Sequence, residues 1–161
     1  MKARPADPGI ANGESGQTKV SKHEPPATLA APSSVLAGAP TGKNETVLVV
    51  DSVPLMRGGI STVLRRLGYR VIEASNALEV QRVTITERNI RLLILDLSSL
   101  EISDLEFLAW FRLSHPTIKV VAAAGSIWDL SFYHGVTQEI TLLAKPFTPM
   151  ELARIVRRTL G

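Results

Sequence analysis

Val47-Leu48-Val49-Val50-Asp51 decides how this chain folds. An unbroken apolar run, without the alternation of a half-exposed strand, marks a strand covered on both faces, as in a parallel sheet between layers of helices. The pattern recurs at Leu92-Leu93-Ile94-Leu95-Asp96 and, ending in a cation, at Leu142-Leu143-Ala144-Lys145-Pro146. A charged residue that ends such a run leaves the sheet at its carboxyl edge, where open α/β sheets gather their ligands. Two carboxylates and an ammonium converging there would suit a divalent cation and a phosphoryl group. Magnesium takes hard oxygen ligands and keeps several waters, so one or two carboxylates and a phosphate oxygen can hold it. That set of groups suits phosphoryl transfer to a side-chain carboxylate.

Outward from these runs, strand and helix patterns alternate. Met56, Ile60, Val63, Leu64 and Leu67 stand at helical spacing over 54–67, and Gly68 is a C-terminal stop. A second strand is expected over 69–74, then a helix capped by Ser75 through Leu78, Val80 and Val83. The β-branched run Val83-Thr84-Ile85-Thr86 opposes that helix. After the third strand (91–96), Ser103-Asp104-Leu105-Glu106 forms a capping box that opens a helix through Phe107, Leu108 and Phe111. A fourth strand (118–123), a short helix over 126–134 and a fifth strand (140–144) follow. Thr148, Pro149 and Glu151 then start the last helix as N-cap, N1 and N3, with Leu152, Ile155, Val156 and Leu160 inward. Right-handed crossovers make this (βα)5 pattern a doubly wound parallel sheet of five strands.

Composition breaks near Asn44. Residues 1–44 are rich in Pro, Ala, Gly and Ser and hold no aromatic residue, so they are expected to be a disordered N-terminal extension to a domain over 45–161. The chain has no cysteine, which excludes disulfides and thiolate metal sites. The net charge of +3 divides into +2 for residues 1–44 and +1 for the rest, so no nucleic-acid face stands out. No apolar run reaches the roughly 18 residues of a membrane span. The first residues lack the apolar core of a secretory signal. A cytoplasmic protein without membrane or nucleic-acid partners is expected.

With these elements in order, residues 45–161 resemble the receiver domains of bacterial two-component response regulators. The anchors are Leu48-Val49-Val50-Asp51-Ser52-Val53-Pro54, Leu95-Asp96-Leu97 leading to Leu105-Glu106, and Lys145-Pro146-Phe147-Thr148-Pro149, supported by Leu67-Gly68-Tyr69 and Val71-Ile72-Glu73-Ala74. The resemblance implies a flavodoxin-like fold with strand order 2-1-3-4-5. It implies that Asp96 accepts phosphate, that Asp51 belongs to the acidic pair binding magnesium, and that Lys145 contacts the phosphoryl oxygens. Ser98 falls where a backbone carbonyl completes the metal shell. It further implies a single-domain regulator that is no enzyme beyond its own phosphotransfer and dephosphorylation, served by a histidine kinase or phosphotransfer protein, with two copies pairing through the last helix face.

The departures matter as much. Ser52 stands where the family has its second carboxylate; as a neutral ligand it implies weaker magnesium binding. Ala124 replaces the hydroxyl residue that hydrogen-bonds the phosphoryl group, with Ser126 two positions on. Leu142 replaces the aromatic that turns inward on activation, and Leu100-Glu101 stands where the family has Pro-Gly. These substitutions favour a rival reading, a pseudo-receiver acting as an interaction module independent of phosphate. The turn Asp51-Ser52-Val53-Pro54 contains no glycine, which argues against a flavin or nucleotide cradle after the first strand. His23, His115 and His134 share no ligand spacing and are expected in solvated segments.

Overall fold

The computed structural model describes residues 33–97, 104–125 and 140–161. Each apolar run forms a strand. β1 (Thr46–Val50), β2 (Arg70–Ala74), β3 (Ile90–Asp96), β4 (Lys119–Ala124) and β5 (Ile140–Ala144) make one parallel sheet in the order β2-β1-β3-β4-β5. Among the described residues four α-helices connect or follow the strands: α1 (Pro54–Arg66), α2 (Ala77–Thr86), α3 (Asp104–Ser114) and α4 (Pro149–Leu160). This is the flavodoxin-like sheet order that the sequence implies. The connection between β4 and β5, with the helix expected over 126–134, lies outside the described residues, as do Ser98 and Ser103.

Strand alternation explains why the runs are apolar throughout. Leu48, Val50, Leu93, Leu95, Val120 and Ala122 point to one face, where Val80 of α2 and Phe107, Leu108 and Phe111 of α3 cover them. Val47, Val49, Leu92, Ile94, Val121 and Leu143 point to the other, under Ile60 and Leu64 of α1 and Leu152 and Val156 of α4. Every second side chain thus serves a different core. Fully burying a Leu or Val side chain contributes about 1.5–3 kcal/mol, so the three central strands hold the molecule together.

Local chemistry sets the helix ends. Thr148 and Glu151 form the expected reciprocal capping box, with Pro149 in the first turn. At α2 the cap is Asn76 rather than Ser75: its Oδ1 accepts from the Glu79 amide at 3.0 Å, and the Ser75 amide donates to the Glu79 carboxylate at 2.7 Å. The β-branched end of α2 stays helical to Thr86 because Val80 and Val83 pack on the core. Burial there outweighs propensities of a few tenths of a kcal/mol per residue.

Part of the segment expected as an N-terminal extension lies among the described residues. Residues 33–44 pack on the domain: a short 3-10 helix (Ser33–Leu36) precedes Leu36 and Ala39, which lie against the core under α1 and α4. The Gly42 amide donates to the Leu67 carbonyl at 2.7 Å and the Asn44 amide to that of Gly68 at 3.1 Å. Glu45 is clasped by Arg157 at 2.7 Å. Burial raises the Glu45 pKa, but the guanidinium and the Lys43 amide outweigh it and hold the carboxyl below its ordinary range. The apolar partners of this segment belong to α1, α4 and Tyr69, distant in sequence.

His115 also departs from expectation. It is half-buried, its ring 5.0 Å from that of Phe111 and 5.9 Å from that of Trp110. Burial lowers its pKa.

Candidate functional site

The strand order reverses between β1 and β3, and the crevice of an open α/β sheet lies at the carboxyl ends of such a pair. Val50 of β1 pairs with Leu95 of β3, so Asp51 and Asp96 leave the sheet side by side, on strands about 4.8 Å apart. Both carboxylates are buried, Asp51 at 1% and Asp96 at 5% exposure. Burial of unpaired charge is costly, so the partners of these groups define the site.

Asp96 is ion-paired with Lys145: the ammonium donates to its Oδ2. Lys145 is presented by the turn after β5, where its amide donates to the Ala124 carbonyl at 2.8 Å, and its side chain is only partly exposed. Asp51 also has a local task. Its Oδ1 accepts from the Val53 amide at 2.7 Å, closing the turn into α1, whose N-cap Val53 offers no side-chain cap. Ser52 follows with its side chain exposed.

One contributor is missing from the sequence reading. Arg57, in the first turns of α1, donates to the Asp51 carbonyl at 2.6 Å and pairs with Glu73 at 3.3 Å, while Arg65 holds the same carboxylate at 2.9 Å. This relay ties β1, β2 and α1 together beside the crevice. The only signal for it is a cation six residues after Asp51, one helical turn into the following helix.

The positions that depart from the family pattern are also placed. Ala124 ends β4 beside Ala144 of β5, with a methyl group and no hydrogen-bonding side chain. Leu142 of β5 pairs with Ala122 and packs against the core under α2 and α3. Ser98 and Ser126 lie outside the described residues.

Two hard carboxylates beside one ammonium fit magnesium by donor chemistry. Among the described residues no group of three His, Asp or Glu side chains is placed to hold a metal.

No protein-family model matches the sequence, and no curated protein is significantly similar to it. Solved structures do match. The signal receiver domain of an HD domain-containing protein from Pseudomonas fluorescens shares 22% identity over 73% of this chain and 95% of its own, with a TM-score of 0.64. The chemotaxis protein CheY4 of Vibrio cholerae shares 24% over 71% and 98%, with a TM-score of 0.64. The receiver domain of NtrX from Brucella abortus shares 25% over 71% and 97%, with a TM-score of 0.61. Against a longer NtrX chain the match covers 27% of that chain. The chain has the receiver-domain fold.

Proposed function

We propose that this protein is a two-component response regulator that accepts a phosphoryl group on Asp96 from a histidine kinase or phosphotransfer protein and signals by protein contact. The observation that carries the reading is the buried Asp96–Lys145 ion pair at the crevice between β1 and β3, with Asp51 on the neighbouring strand. A carboxylate oxygen of Asp96 attacks the phosphorus of a phosphohistidine. The phosphorus–nitrogen bond breaks as the phosphorus–oxygen bond forms, and the departing imidazole takes a proton. Lys145, now paired with Asp96, moves its charge to the incoming phosphoryl oxygens, stabilising the charge that develops there. Asp51 and Asp96, with the Ser98 carbonyl and the Ser52 hydroxyl, would hold a weakly bound magnesium ion, whose chemistry is to neutralise the phosphoryl charge. The chain catalyses only its own phosphotransfer and dephosphorylation.

Partner contact has a surface of suitable character. Val53, Leu55 and Met56 are exposed at the start of α1, next to Asp51, and a phosphodonor protein would cover them. Pairing of two copies through α4 fits less well, because its outward face carries Arg154 and Arg158. An acidic partner surface suits that face better.

The test is labelling by acetyl phosphate or a donor kinase, read on phosphate-affinity gels. Asp96→Asn abolishes labelling, since an amide cannot form the acyl phosphate, and it keeps the fold because the side chains are nearly isosteric. Equal labelling of both proteins refutes the assignment.

A second reading is favoured by Ala124 and Leu142. A methyl at the end of β4 and an aliphatic chain packed on the core offer no hydroxyl to sense phosphate and no ring to turn inward. On that reading the fold is an interaction module whose shape does not depend on phosphate.

A further inference from the structure

The sheet edge opposite Asp51 and Asp96 collects cations. Lys43 on the segment entering β1, Arg70 at the start of β2, and Arg88 and Arg91 around the start of β3 line a groove of about 510 Å3. The register explains the gathering: Thr46 of β1 pairs with Arg70 on one side and Ile90 on the other, so three adjacent strand starts open on one hollow.

Two charges at this edge are already matched. Arg70 bonds both carboxylate oxygens of Glu87, at 2.9 and 3.2 Å. Glu45, the acidic side chain in the lining, is neutralised by Arg157. Lys43, Arg88 and Arg91 are exposed and have no ion-pair partner among the described residues. Three unbalanced cations lining one groove make a concave positive field on a chain whose net charge is only +3.

We propose that this groove is a second ligand site, binding the polyphosphate chain of a small molecule. Its volume lies within the roughly 300–1,000 Å3 of small-molecule sites. Guanidinium forks match phosphate oxygens two at a time, and Lys43 adds a point charge from the segment entering β1. The neutral lining is polar, with Asn44, Asn89 and Thr117, and Ile90 is its apolar member. Among the described residues no aromatic ring lines the groove to stack a nucleobase, and no apolar pocket there anchors a peptide. The phosphate chain is therefore the recognised part, whether free or carried by a nucleoside.

The test is a titration of the whole chain with inorganic tripolyphosphate in magnesium-free, low-salt buffer, followed by calorimetry and amide chemical shifts. Saturable binding is expected, with shifts at 43–46 and 88–91 and a raised melting temperature. Arg88→Glu combined with Arg91→Glu weakens binding at least tenfold while leaving the circular dichroism unchanged, and Lys43→Glu, on a different segment, weakens it as well. ATP forms the second arm: affinity equal to tripolyphosphate assigns the free chain, tighter binding assigns a nucleotide, and both support the site. Unchanged affinity in the double variant overturns the proposal. So do shifts confined to the loops of Asp51, Asp96 and Lys145, or tighter binding of a polyglutamate peptide than of tripolyphosphate.

Discussion

Ser52 follows buried Asp51 with a neutral, exposed side chain, and one substitution tests whether it reaches the site. Ser52→Asp adds a hard anionic oxygen, so magnesium binds more tightly, while a third carboxylate near Asp51 and Asp96 lowers the melting temperature of the metal-free protein. A metal titration paired with metal-free thermal denaturation reads both effects; unchanged affinity means that residue 52 does not reach the ion. Gly42 poses a steric question instead. A β-carbon there would stand 2.7 Å from the ring of buried Tyr69. Gly42→Ala is expected to cost about 1–3 kcal/mol, the range for overpacking, seen as a lower denaturant midpoint at unchanged slope. The Gly42 and Asn44 amides, which bond Leu67 and Gly68, lose hydrogen-exchange protection in step. A variant as stable as the parent contradicts tight docking of this segment.

Between elements, the question is whether an event at Asp96 reaches α4. β4 and β5 lie between them, and the links they offer are Ala124 and Leu142. A ligand shifts a conformational equilibrium only by its differential affinity for the two states, and a lost hydrogen bond to a charged group removes about 1.5–3 kcal/mol of that difference. Beryllofluoride with magnesium, which mimics an aspartyl phosphate, is therefore expected to move amide resonances around Asp51, Asp96 and Lys145 but little along α4. Ala124→Thr restores part of the propagation, since Leu142 still supplies no turning ring. Large shifts along α4 in the parent chain refute this weakened switch.

For the whole molecule, the glutamates and the histidine whose pKa values shift are all lowered. Glu87 is lowered by its hydrogen bond to Arg70, Glu79 by the Ser75 amide and Glu151 by that of Thr148; Glu45 is lowered despite burial, which raises it, because Arg157 and the Lys43 amide outweigh it. His115 is lowered by burial of its ring. A depressed folded-state pKa means that the unfolded chain binds the proton first, so stability is complete above the unfolded value and falls as pH drops toward the folded one. The melting temperature is expected to be level from neutrality up to the ordinary tyrosine value of 10.0, above which buried Tyr69, its pKa raised by burial, lowers it. It declines shallowly below the ordinary histidine value of 6.5 and more steeply below the ordinary glutamate value of 4.5. His115→Gln removes the shallow stage alone. A profile that rises on acidification contradicts the assigned pairings.

The apolar runs before Asp51, Asp96 and Lys145 were enough by themselves to determine the sheet, its parallel sense and the edge where the charges gather. A strand buried on both faces must be apolar along its length, and a charge can follow only where the chain leaves the core. The Thr148 cap was legible for a similar reason, because its partners lie within one turn. What depended on residues distant in sequence was decided by the tertiary structure alone. The docking of 33–44 needs Tyr69 and α4, the support of Asp51 by Arg57 needs Glu73 on another strand, and the basic groove exists only where three strand starts meet. Local pattern records what a residue buries; which distant group meets it is set by the register and crossovers of the folded sheet.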